Sequence, residues 1–338
     1  MKLIQADGDG ALAEEFEIRE PALILGIGHV GGKIASGVAR SCGCEHLEMV
    51  YEADHLSEIE NCVHIARRGW ANPSAPKLRS LASAHLSEIA TKLREVKTVF
   101  MVANLAGRGG VGIGPLVCRV AKEKGCKVVS IVIMPFGFEH DKIFASGVAL
   151  RRIQDASDSL IIVDNNAYLQ NNPQHSLEQC YAAINQAVHD SAVHVLRGGR
   201  SSGGIGIVTT GTTPNNNLGS SLEASLAALY PQLSEHGSVG RAVIHVTHAG
   251  NSKLSLDNLS VLVGRVRAAL SDSSSASVSM TTAGSLGESQ VHLVTSVLNG
   301  TVFDSYDPLA QVIPKEKFID WEELDASPDL SLPVFGIE

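Results

Sequence analysis

The chain has 338 residues, 44% of them apolar and 4% aromatic, and carries a formal net charge of −9. That length suits two domains or one large one, and an acidic chain without a basic patch excludes nucleic acid as the main partner. No apolar run reaches the roughly 18 residues of a membrane span, and Met1–Glu20 lacks the basic and apolar regions of a signal peptide. The six cysteines (Cys42, Cys44, Cys62, Cys118, Cys126, Cys180) show neither a CxxC pair nor metal-ligand spacing. A cytoplasmic protein with buried free thiols is expected. The histidines are scattered and read as structural or surface groups.

Residues 21–26 read as a short buried strand. A glycine-rich turn follows, Gly26-Ile27-Gly28-His29-Val30-Gly31-Gly32-Lys33, and residues 33–40 continue as helix. Residues 47–51 form the next strand, followed by Glu52-Ala53-Asp54. Residues 67–76 are a loop with Gly69, Asn72, Pro73 and Pro76 as breakers, and 77–95 carry apolar residues at helical spacing. A strand at 98–103 leads into a second turn, Gly107-Arg108-Gly109-Gly110-Val111-Gly112-Ile113-Gly114. Residues 115–124 are helix, stopped by Gly125. Strands at 127–134 and 160–163 complete an alternation that predicts a parallel sheet covered on both faces. A long helix at 176–196 and a Gly/Ser-rich joint at 197–206 come next. Strand 206–213, helix 218–229, strand 242–247, helix 256–270 and strands 277–282 and 290–297 read as a smaller α/β domain. From Asp304 an acidic, proline-punctuated tail ends in an apolar patch at 330–337.

Each glycine turn follows an apolar run and precedes a helix. Glycine permits a close backbone approach to a ligand, and a helix start presents unpaired N–H groups and a positive dipole end to an anion. The first turn alone matches the G-x-G-x-x-G fingerprint (Gly26, Gly28, Gly31), with Glu45 or Glu48 about twenty residues on. That reading makes the chain an NAD-dependent oxidoreductase. It leaves the second turn unused and finds no catalytic His/Arg/Lys constellation.

The ordered set of motifs resembles the FtsZ/tubulin superfamily, and within it divergent FtsZ-like proteins. The first turn is similar to the family's opening loop, and Arg68-Gly69-Trp70-Ala71-Asn72-Pro73 to its phosphate-covering loop. Residues 109–114 stand where the family carries GGGTGTG. Pro135-Phe136-Gly137-Phe138-Glu139 is similar to PFxFE, and residues 158–169 to DTLIVIPNDRLL. Residues 240–270 and 277–298, with Ser285-Leu286-Gly287-Glu288, resemble the C-terminal domain. The resemblance covers about Leu23 to Gly300. It implies an extension at 1–20, a nucleotide-binding domain at 21–175, a central helix and joint at 176–200, a C-terminal α/β domain at 201–303 and a tail at 304–338. It also implies GTP or GDP as cofactor, Mg on the phosphates, and self-association into dimers or protofilaments in cell division or membrane remodelling. In the tail, Leu332-Pro333-Val334-Phe335 resembles a peptide that docks on a membrane adaptor, or else packs back on its own domain.

Carried onto this sequence, the phosphate cradle is Gly26, Gly28, Gly31, Gly32 and Lys33 with Arg108, Gly109, Gly110, Gly112 and Gly114. Glu139, Asn165 and Asn185 take sugar and base, Lys142 is a further cationic contact, and Asp54 approaches the metal or caps a helix. Four departures bear on chemistry. Val111 and Ile113 replace phosphate-binding threonines, each lost bond to a charged group costing about 1.5–3 kcal/mol. Arg108 replaces a glycine and points either to phosphate or to solvent. Asn185-Gln186 replaces the Asn-Asp pair that reads guanine. No carboxylate lies between Asp190 and Glu223, where the resemblance places an acidic loop that activates hydrolysis in the next subunit. Hydrolysis is therefore expected to be weak or lost. A scaffold that binds partners without polymerising is the alternative.

Overall fold

The computed structural model describes residues 15–51, 61–65, 73–198, 200–212, 217–249, 256–270, 275–283 and 290–311. Asp54, most of the loop before Pro73, residues 285–288 and the apolar end of the tail lie outside the described residues. The first half runs β1 (Glu15–Glu17), β2 (Ala22–Ile27), α1 (Gly28–Cys42), β3 (Glu45–Val50), β4 (Cys62–His64), α2 (Ala75–Ser83), α3 (Leu86–Lys92), β5 (Thr98–Asn104), α4 (Arg108–Glu123), β6 (Lys127–Met134), α5 (His140–Ala156), β7 (Ser159–Asp164) and α6 (Asn165–Asn171). The long α7 (Leu177–Gly198) follows, then β8 (Arg200–Ser202), β9 (Gly204–Thr212), α8 (Leu218–Leu229), β10 (Ser238–Ala249), α9 (Leu256–Ala269), β11 (Ser275–Ala283) and β12 (Gln290–Leu298).

Ten strands form one sheet in the order β11-β10-β12-β9-β7-β6-β5-β2-β3-β4. From β4 to β9 all neighbours are parallel. Strands β2, β5, β6 and β7 are buried along nearly their whole length, which is why they read as continuous apolar runs. Helices α2 to α5 cover one face around Leu78, Ile89, Ile113 and Ile153, and α1 and α7 cover the other around Ile34, Val38, Ile184 and Val188. The second half does not start a new sheet. β9 bonds to β7 in parallel and to β12 antiparallel, so the sheet runs through both halves. A third core around Leu222, Leu226, Ile244 and Leu293 lies there.

Several elements differ from the sequence expectation. Both glycine turns lie largely inside helices, because α1 starts at Gly28 and α4 at Arg108. Tertiary packing overrides glycine's roughly 1 kcal/mol helix penalty there. The helical stretch at 77–95 is broken, with Ala84 and His85 closing α2 by i→i−3 bonds to Leu81 and Ala82. The sequence reading missed α5, although Ser146, Ala149, Leu150 and Ile153 repeat at helical spacing and are all buried. The joint after α7 is partly strand: β8 pairs antiparallel with β1, from Glu15↔Ser202 to Glu17↔Arg200. The described start of the tail folds back. Residues 302–306 form a 3-10 turn under a Thr301/Asp304 capping box, and Phe303 is buried in the core that α5 covers.

Candidate functional site

β2 and β5 are neighbours, in register from Ala22↔Thr98 to Ile27↔Ala103. From β2 the chain passes to β3 on one side, and from β5 to β6 on the other. The strand order reverses between them, and open α/β sheets take ligands at the carboxyl edge of such a switch point. α1 and α4 start at this edge on opposite faces. Neither has a side-chain cap or an acid in its first turn. Helices α2, α6 and α8, by contrast, are capped by Ser74, Asp164 and Asn217. Two uncapped helix starts therefore present N–H donors and positive dipole ends at one crevice.

The glycines divide by what surrounds them. A Cβ on Gly26 would lie 2.4 Å from Gly31 O, on Gly31 2.5 Å from Val102 O, on Gly32 2.2 Å from Glu48 Oε2, on Gly110 2.1 Å from Asn104 O and on Gly112 2.3 Å from Ala75 O. Close packing of helix on strand and loop accounts for these five. Gly114 meets only ordinary contact, with Ile153 Cδ1 at 3.4 Å. Gly28 and Gly109 face the crevice itself, and both meet the ring of Tyr51, at 3.1 and 2.1 Å from Cε1. Gly28 also has φ of 67°, which only glycine adopts readily. The Gly110→Ala variant is expected to melt earlier, losing about 1–3 kcal/mol by overpacking against backbone. Gly114→Ala is expected to be neutral or stabilising by up to about 1 kcal/mol through helix propensity. Thermal unfolding of the two variants checks the pair.

The other sequence candidates take definite positions. Arg108 Nη1 donates to Pro73 O at 3.4 Å, so its side chain turns toward the loop that precedes α2. Lys33 is exposed on α1. Ile113 is fully buried in the core, a position set by the helix starting at Arg108, and Val111 packs beside it. Glu139 accepts from Phe136 N–H at 3.0 Å and pairs with Lys142, so those two candidates engage each other. Asn165 is 1% exposed, and neither atom of its amide has a hydrogen-bond partner among the described residues. A buried amide left unpaired calls for a polar ligand. Its neighbour Asp164 caps α6, and burial pushes that carboxyl up to about 6. Asn185 is half-buried on α7, whereas Gln186 Nε2 donates to Asp190 Oδ1 at 2.8 Å. Gln186 is thus engaged along its own helix.

The sequence reading missed an aromatic group. Phe138 stacks on Phe136 with centroids 5.1 Å apart, and Tyr181 meets Phe136 edge-on at 5.4 Å. Phe138 and Tyr181 keep 56% and 41% of their surface exposed. Tyr181 stands one helical turn before Asn185, and that i,i+4 spacing was the available signal. Such flat faces suit a planar ring. The acids of the dinucleotide reading stand elsewhere: Glu45 pairs with Leu23 at the start of the strands, and Glu48 lies beneath α1 against Gly32. Among the described residues no group of His, Cys, Asp or Glu is placed to hold a metal ion, and no helix is long and apolar enough to cross a membrane.

Comparison with known proteins agrees with this geometry. The Tubulin/FtsZ family, GTPase domain, matches residues 22–173. Cell division protein FtsZ 2 of Halobacterium salinarum is 26% identical over 164 residues, 48% of this chain and 41% of that protein. The FtsZ 2 of Methanocaldococcus jannaschii is 23% identical over 239 residues, 64% of this chain and 62% of its own length. The chain therefore spans less than two thirds of these relatives. An empty FtsZ dimer from M. jannaschii superposes with a TM-score of 0.66 at 18% identity, covering 84% of this chain and 88% of that one. The GTPγS-bound protofilament of CetZ2 from Haloferax volcanii gives 0.60 at 18%, covering 86% and 97%. These structures share the fold. Residues 22–173 thus match the GTPase domain of the Tubulin/FtsZ family, and the chain has the FtsZ/tubulin fold.

Proposed function

We propose that this protein is a self-associating cytoskeletal protein that binds guanine nucleotide weakly at the β2/β5 switch point and hydrolyses it slowly or not at all. The observation that carries this reading is the meeting of two uncapped helix starts at one crevice. The unpaired amide of Asn165, at the carboxyl end of β7, and the Tyr181/Phe138 faces support it. The phosphates would lie over Gly28 and Gly109, with Asn165 and Asn185 toward the base. A bound nucleotide supplies the negative charge that the helix starts lack. The division into a nucleotide half, a central helix and a C-terminal half follows the same reading.

Self-association is supported by the neighbours, which include an FtsZ dimer and protofilaments of CetZ2 and TubZ. The matched relatives are cell division proteins, so a role in division or membrane remodelling, in the cytoplasm and through a membrane adaptor, is the process we assign. A scaffold that holds partners without polymerising is the second reading, favoured by the ring of Tyr51 against Gly28 and Gly109. Denaturing the purified protein and identifying any released nucleotide by chromatography separates the two. GDP or GTP at a substantial fraction per chain is expected on the first reading. An empty protein that also ignores added GTP overturns it in favour of the scaffold.

A further inference from the structure

We propose that Tyr51 is an internal plug of the cradle, its ring occupying the space that a phosphate group needs, so that nucleotide binds only when the ring turns out. The proposal rests on the reading of the crevice as a nucleotide site. Tyr51 follows the last residue of β3, at the same carboxyl edge as the two helix starts. Gly28 and Gly109 come from different helices on opposite faces of the sheet. Yet a Cβ on either would meet the same ring atom, and a Cβ on Gly28 would also lie 3.3 Å from Tyr51 Oη. The ring therefore fits against Gly109 only because that position lacks a side chain, and it leaves only tight room for one at Gly28. Packing against backbone explains Gly26, Gly31, Gly110 and Gly112, and packing against the Glu48 side chain explains Gly32, without a ligand. The two glycines that open toward the crevice are the two that admit the ring.

The plug is removable. Tyr51 is only partly buried and packs at the margin of the core, not within it. Rotation about its side-chain bonds is the movement by which the ring would leave, with the strand in place. A cradle whose competent form is a minor population binds with an apparent affinity reduced by that fraction. The ring thus sets a threshold that polyphosphate concentration must overcome.

Two measurements test this. The first needs no nucleotide: Gly109→Ala is made in the wild type and in Tyr51→Ala, and thermal midpoints are compared. The expected result is a lowered midpoint in the wild type and little or no loss in the Tyr51→Ala background, because the added methyl collides only with the ring. An equal loss in both backgrounds places the ring elsewhere and overturns the plug. The second is titration of wild type and Tyr51→Ala with GDP and GTP. If the ring fills the cradle in about nine molecules of ten, the variant binds about tenfold more tightly. Equal, measurable binding by both overturns the plug and leaves the nucleotide site standing. No binding by either, even with the ring removed, overturns the site and the plug together.

Discussion

At saturating GTP the purified protein is expected to release phosphate roughly 10²–10⁴-fold more slowly than a filament-forming relative assayed beside it, the range that a positioned acid or base contributes. The resemblance assigns that group to the segment after the central helix, and residues 191–222 contain no Asp or Glu. The structure adds a second reason. The joint is not an exposed loop ready to reach another subunit, because β8 is engaged with β1. Strand β1 does bring two acids to the joint, Glu15 and Glu17, and Glu15 is paired with Arg241. Ordinary turnover by the wild type, abolished in Glu17→Gln, would show that the N-terminal strand replaces the missing loop. Ordinary turnover that persists in that variant would sink the argument from the missing acid altogether.

The second large effect is expected at Asp190, in a buried polar seam between α7 and the second half of the sheet. Its Oδ1 accepts from Gln186 Nε2 at 2.8 Å and lies 2.9 Å from His189 Nδ1. His292 Nε2 stands 3.3 Å from Oδ2, off the line of a well-formed hydrogen bond. His245 stacks on His292 at 6.0 Å and meets His194 at 5.8 Å. Both ring nitrogens of His245 lack a hydrogen-bond partner among the described residues. Asp190→Ala leaves Gln186 Nε2 and His189 Nδ1 without their buried partner and is expected to cost about 1–3 kcal/mol, read as a fall in the urea midpoint. Burial alone would raise the Asp190 carboxyl, but the His189 and His292 contacts hold it well below the usual carboxylate range. Burial, then the neighbouring His292, lowers His245 from 6.5 to about 4. Protonation of His245 is thus favoured in the unfolded chain, so its share of stability is full above pH 6.5 and falls between 6.5 and about 4. Asp190 adds a loss at lower pH, starting below its ordinary value of 3.8. Unfolding midpoints measured from pH 7 to 4 should fall steadily. A flat profile would place the histidines in solvent.

Much of this was legible in the chain, and the rest was hidden for identifiable reasons. The strands of the parallel sheet announced themselves because burial on both faces leaves unbroken apolar runs, as at residues 127–134. The two glycine turns were legible as a pair, and they do meet at the switch point. Their extents were not, since glycine and Pro115 are poor helix formers. The backbones of Asn104 and Ala75, close in space, explain why α4 carries glycine at 110 and 112. Ile113 read as a lost phosphate contact, yet the early helix start turns it into core. Arg108 left two directions open, and the carbonyl of Pro73 was a third. Tyr51 drew no notice because its neighbours in the crevice come from residues 28 and 109, and nothing local marks that meeting. The histidines looked scattered for the same reason. Their sequence separations are large, and only the register of β10 on β12 sets His245 opposite His292.

The continuity of the sheet has a mechanical meaning. Strand β9 is hydrogen-bonded along both edges, to β7 from Ser159↔Gly204 to Val163↔Val208 and to β12 from Ile205↔Val297 to Thr212↔Gln290. A swivel of one half against the other would have to break one of those ladders, and a slip by one residue would turn buried side chains to the opposite face. Among the described residues the sheet is accordingly one hydrogen-bonded unit from β4 to β11. A relative movement of the two halves that keeps both ladders would have to come from twisting of the sheet and from the packing of helices upon it.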